Sequence, residues 1–144
     1  MTDQGKRRFL VFGGAAVFAA VFGFMGARHK PAGFEEQVMT VAQMKDTGGL
    51  IVDIRTPEEW AETGVIDGAT LATFNDPESF LAKIGPELAD GRDLILVCRS
   101  GNRTRRAAQL LAGTIPNRIV SVSGGMKAQI ASGYQPVVAK IARN

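Results

Sequence analysis

The chain of 144 residues holds one cysteine and one histidine. A lone cysteine cannot close an intramolecular disulfide, and no Cys-x-x-Cys pair is present. His29 has neither a second histidine nor a cysteine at ligand spacing, so no metal site is expected; it reads as a flanking residue at a membrane interface. There is no internal repeat and no low-complexity tract. An excess of charge of either sign is missing over most of the length. Residues 31–144 carry 12 basic and 13 acidic side chains, a net of −1. The overall excess of +3 therefore comes from residues 1–30, where Lys6, Arg7, Arg8, Arg28 and Lys30 face only Asp3. That distribution gives no support to a nucleic-acid partner.

Charge is missing altogether from residues 9–27, FLVFGGAAVFAAVFGFMGA. The run is close to the roughly 20 residues a helix needs to cross a bilayer core. Lys6-Arg7-Arg8 precedes it, the order of a basic region before an apolar one. Arg7-Arg8-Phe9-Leu10-Val11 also resembles a twin-arginine export signal. Cutting after Ala27 would put Met25 at −3, a poor cleavage site, and the run is long for a signal peptide. The expectation is an uncleaved anchor over residues 1–30, with a cleaved Sec or twin-arginine signal as the alternative. The basic N-terminus then stays in the cytoplasm and the domain lies in the periplasm. Arg28 and Lys30, beyond the run, count against that orientation.

Residues 31–35 follow as a linker opening with Pro31-Ala32-Gly33. Thr40-Val41-Ala42-Gln43 has the capping-box pattern and predicts a short helix to Asp46. Leu50-Ile51-Val52-Asp53-Ile54 is the continuous apolar run of a buried parallel strand. Thr56-Pro57-Glu58-Glu59 supplies a cap, a proline at the first helical position and a third-position glutamate for a helix stopped by Gly64. A brief strand at Ala69-Thr70-Leu71 and a helix from Asp76-Pro77-Glu78 to about Gly85 come next. Leu94-Ile95-Leu96-Val97 is the second strong strand. Residues 103–111 read as a helix with Ala107, Ala108, Leu110 and Leu111 inward and Gly113 at its C-cap position. Ile119-Val120-Ser121-Val122 gives a last strand, and residues 126–132 a last helix after the Gly124-Gly125 turn. Alternating strands and helices predict an α/β domain, a central parallel sheet flanked by helices on both faces. It spans residues 36–138, and residues 139–144 form a tail.

In such sheets ligands bind beyond the carboxyl ends of the strands. Cys98 is placed there, directly after the second strong strand and before a helix. Ser100, Gly101 and Asn102 are turn formers, so the loop can curl with its backbone N–H groups inward. A nest of that kind holds an anion and favours the thiolate, the nucleophilic form of cysteine. Lone cysteines are often inert core residues; the Ser-Gly-Asn turn and the surrounding Arg99, Arg103, Arg105 and Arg106 favour a nucleophile here. The arginines suit a small anionic substrate. Arg103, at the junction of loop and helix, is the best placed of them, whereas Arg105 and Arg106 read equally well as a solvated helix face.

Val97-Cys98-Arg99-Ser100-Gly101-Asn102-Arg103-Thr104 resembles the active-site loop of rhodanese-like sulfurtransferases. LIVDIRTPEEWAETGVIDGATL, residues 50–71, is similar to the family's first signature, and VSGGMKAQIASGYQPV to its C-terminal one. The three motifs occur in order across about residues 36–138. Two positions depart from the pattern: Val65 stands where the family has histidine, and Gln129 where it often has tryptophan. The resemblance implies that Cys98 takes a sulfane sulfur from a small anionic donor such as thiosulfate. A thiol or cyanide acceptor then removes it. Arg99, Ser100, Gly101, Asn102, Arg103 and Thr104 would bind the donor and stabilise a persulfide. Asp53 and Arg55 would support the loop, with Glu59 as a partner for Arg55. No metal or organic cofactor is implied, and the protein partner is not identified.

Two other functions fit some of these features. A non-enzymatic sulfur carrier or docking module at the membrane would use the same domain. A cysteine phosphatase or arsenate reductase would need an arginine six positions after the cysteine; that position is Thr104, with arginines at five and seven.

Overall fold

The computed structural model describes residues 33–140. The anchor or signal expected at residues 1–30 lies outside the described residues, and no described helix is long and apolar enough to cross a membrane. In chain order the elements are β1 (Phe34–Gln37), α1 (Val41–Asp46), β2 (Leu50–Asp53), α2 (Pro57–Thr63) and β3 (Thr70–Leu71). There follow α3 (Pro77–Leu88), β4 (Leu94–Val97), α4 (Asn102–Leu111), β5 (Ile119–Val122) and α5 (Gly125–Ala131). The strands form one five-stranded sheet in the order β1-β5-β4-β2-β3. Every pairing within it is parallel.

Alternation along the central strands builds two cores. Leu50, Val52, Leu94, Leu96 and Ile119 turn to one face and pack with Phe80, Ile84 and Leu88 of α3 and with Ala107, Ala108 and Leu111 of α4. Ile51, Ile95, Val97, Val120 and Val122 turn to the other, against Met44 of α1 and Met126 of α5. Burial on both faces is why these strands read as unbroken apolar runs. The α1 and α2 caps form as their sequences predict. Thr40 and Thr56 each accept a third-position N–H, and Gln43 and Glu59 reach back to the cap N–H.

Four expectations need correction. Phe34 and Glu35, read as linker, open β1. The helix at Pro77 does not end near Gly85; it runs through Gly85 and Pro86 to Leu88, because Phe80, Ile84 and Leu88 recur every four residues on the buried face. Leu110 faces solvent, about half exposed, while Thr104 takes a buried position on α4. The C-cap of α4 is Ala112, one residue before Gly113.

Candidate active site

The carboxyl ends of β2 and β4 lie side by side, with Asp53 paired in register with Val97. Asp53 and Arg55 leave the end of β2 as a fully buried ion pair. The carboxylate accepts the Arg55 Nε–H at 2.9 and 3.0 Å, the Nη2–H at 2.7 Å and the Arg55 backbone N–H at 3.1 Å. Arg55 also donates from Nη1 to Thr63 Oγ1 at 2.6 Å and from Nη2 to the Gly64 carbonyl at 2.7 Å. The pair thereby staples the end of β2 to the far end of α2.

Cys98 follows β4, and its side chain belongs to the core between the sheet, α3 and α4. Only 1% of the residue is exposed, as for an inert thiol. Its surroundings are not those of an inert thiol. The chain after it curls back so that the Gly101 N–H points at Sγ, 3.1 Å away. Thr104 Oγ1 stands 3.8 Å from the same sulfur. The curl depends on Gly101, which caps α4 at φ 99° in the left-handed region. The carbonyls of Cys98 and Arg99 turn outward and accept the N–H groups of Met126 and Lys127 at 2.8 and 3.0 Å. With those carbonyls tied to α5, the Gly101 N–H is the backbone donor that the loop turns towards the sulfur.

The remaining loop residues divide by position. Arg99, Ser100, Asn102 and Arg103 are exposed. Arg99 lines a cleft of about 150 Å³ with Glu59, Glu62, Met126 and Lys127. Thr104, expected among the substrate-binding residues, is fully buried beneath the loop. Its hydroxyl donates to the Gly101 carbonyl at 2.8 Å and accepts from Ser121 Oγ at 2.9 Å. These bonds tie the first turn of α4 to the loop and to β5 beside the sulfur.

Glu59 does not give its carboxylate to Arg55. Only its backbone carbonyl does so, at 3.3 Å, because Asp53 already fills the Arg55 fork. The Glu59 carboxylate clamps Arg103 instead, with Nη1 to Oε2 at 2.7 Å and Nη2 to Oε1 at 2.6 Å. That guanidinium holds the Glu59 carboxyl down at about 2. Arg103 is held above its usual value, first by the hydrogen bond to Glu59. Arg105 is likewise engaged, by Glu36 of β1 at 2.6 and 2.9 Å. So two of the four arginines that suggested an anion site are already matched by carboxylates.

Sequence reasoning missed Ser121, Lys127 and the specific need for Gly125. A serine inside the apolar run of β5 was the visible signal for the first. Gly125 has φ 52°, and a Cβ there would lie 2.3 Å from the Cys98 carbonyl oxygen. At the two departures from the motif pattern, Val65 is buried and bridges Val137, and Gln129 donates to the Met39 carbonyl at 2.7 Å. Among the described residues no group of three or more histidine, cysteine or acidic side chains could hold a metal.

The model of the rhodanese-like domain family matches residues 38–131. A sulfurtransferase from Allochromatium vinosum is 33% identical over 90 residues, covering 62% of this chain and 78% of that protein. A solved rhodanese-related protein from Thermoplasma volcanium is 25% identical with a TM-score of 0.53, over 72% of this chain and 99% of that one. A solved protein of unknown function from Rhodopseudomonas palustris, described as a possible tyrosine phosphatase, is 26% identical with a TM-score of 0.57. It is covered over 84% of its length, and this chain over 72%.

Proposed function

The chain belongs to the rhodanese-like domain family, and we propose that, like the sulfurtransferase it resembles, it moves sulfane sulfur from an anionic donor to a thiophilic acceptor through a Cys98 persulfide. The Cys98 thiolate attacks the outer sulfur of a donor such as thiosulfate. A bond forms between Sγ and that sulfur, the sulfur–sulfur bond of the donor breaks, and sulfite leaves with the bonding electrons. A thiol or cyanide then attacks the outer sulfur of the persulfide and returns Cys98 as thiolate. The observation that carries this reading is the Gly101 N–H aimed at Sγ from a loop whose carbonyls face away. A core thiol has no need of that geometry. Arg99 and Lys127 supply positive charge at the neighbouring cleft.

The phosphatase alternative needs an arginine fork on equatorial phosphate oxygens. Thr104 occupies that position and is buried, and Arg103 spends its fork on Glu59. Replacement Cys98→Ser tests the proposal. Thiocyanate formation from thiosulfate and cyanide should vanish while the melting temperature stays near that of the wild type. Activity surviving in the serine variant would refute the persulfide route. Hydrolysis of p-nitrophenyl phosphate at a Cys98-dependent rate would instead favour phosphoryl chemistry. A non-enzymatic sulfur carrier would form the same persulfide but fail to turn over with small acceptors.

A further inference from the structure

Arg103 lies at the first turn of α4, five residues after Cys98. Its guanidinium is held above its usual value first by the hydrogen bond to Glu59 and, to a lesser degree, by the nearness of Cys98. A free guanidinium there would favour a doubly charged inorganic donor. The guanidinium is not free. Glu59 meets it with both carboxylate oxygens, a geometry that satisfies the outer fork of the arginine. Glu59 is itself held in place, because Oε2 accepts the Thr56 N–H at 3.1 Å as part of the α2 capping box. It is therefore a fixed counter-charge. The ion pair also stands between two clefts. Glu59 lines the 150 Å³ cleft of Arg99 and Lys127. Arg103 lines a second, of about 260 Å³, with Ile54, Phe74, Asn75, Arg106 and Leu110. That second cleft joins an apolar floor to one guanidinium, Arg106, that no described carboxylate engages.

We propose that Glu59 determines donor specificity: by occupying Arg103 it weakens binding of dianionic donors and turns the site towards monoanionic organic sulfane-sulfur compounds, such as thiosulfonates, whose apolar group fits the Phe74–Leu110 cleft. The proposal rests on Cys98 being the sulfur-transferring nucleophile, and the test separates the two claims. In Glu59→Gln the glutamine still completes the capping box, so charge is removed without uncapping α2. The KM for thiosulfate should fall roughly three- to fivefold relative to the KM for methanethiosulfonate, the scale of one partly screened charge pair. Cys98 is the sole cysteine, so its alkylation reads the same field without any sulfur transfer. The ratio of iodoacetate to iodoacetamide rates should rise by a similar factor in Glu59→Gln. It should return to the wild-type level when Arg103→Gln is added. Wild-type ratios in Glu59→Gln, for both alkylation and KM, would overturn the proposal, as would a gain that persists without Arg103. A raised alkylation ratio in a protein that transfers no sulfur would support the charge control and overturn the sulfurtransferase reading.

Discussion

Arg55 and Asp53 are a charged pair with almost no contact with solvent, held by seven hydrogen bonds between and around them. Removing one member leaves the other buried and unpaired, which typically costs about 3–5 kcal/mol. Arg55→Leu should therefore lower the unfolding free energy by about that amount, read from the urea midpoint at unchanged slope; a loss below about 1 kcal/mol would show the pair to be dispensable. Glu59 makes a separate prediction. Its carboxyl is depressed from 4.5 to about 2. A depressed carboxyl stabilises the fold above its unfolded value and loses that contribution as pH falls through the folded one. The melting temperature of the wild type should thus exceed that of Glu59→Gln at neutral pH, and the gap should close between about pH 4.5 and pH 2. A gap that stays open below that window would contradict the assignment. A supporting place for Asp53 and Arg55 at the end of the strand was legible in the motif, but their pairing with each other was not. Nor was the true partner of Glu59. Arg55 is four positions away and Arg103 is 44, and only the folded chain shows that Asp53 leaves Arg55 no fork to offer.

At the scale of elements, the sulfur loop is set by three pieces: the end of β4, the first turn of α4 and the start of α5. The α5 contact is the least forgiving. Gly125→Ala combines a positive φ with a Cβ 2.3 Å from the Cys98 carbonyl oxygen. Either the loop or α5 must move. We expect a melting temperature several degrees lower, since 1 kcal/mol shifts Tm by about 4–8 °C in a domain near this size, and Cys98-dependent turnover reduced at least about tenfold, since a misplacement of about 1 Å can cost a factor of a hundred. An alanine variant with wild-type turnover would show that the loop tolerates displacement. The elements that bracket the site were readable because each carries its own signal: apolar runs for β2 and β4, capping boxes for α1 and α2. β1 was not, because Phe34-Glu35-Glu36-Gln37 is an edge strand with little apolar pattern. Its carboxylates meet Arg118 and Arg105, partners distant in sequence. The full length of α3 was hidden by Gly85 and Pro86, local breakers overridden by burial of Ile84 and Leu88.

On the scale of the whole molecule, a parallel sheet covered on both faces places Cys98 where two central strands end together. We propose that residues 9–27 anchor this domain at the inner membrane, on the strength of the uncharged run and the Lys6–Arg8 cluster before it. A periplasm-active reporter fused after Asn144 should then be active and a cytoplasm-only reporter silent, and the reverse result would place the domain inside. The chemistry itself does not depend on that location. It depends on one sulfur atom passing through Cys98, and the mass of the intact protein reads this directly. After incubation with thiosulfate and removal of the excess, the wild type should gain the mass of one sulfur atom, lose it again on addition of cyanide, and show no gain as Cys98→Ser. A wild-type mass that does not change with thiosulfate or with methanethiosulfonate, or a serine variant that gains the same mass, would contradict a Cys98 persulfide.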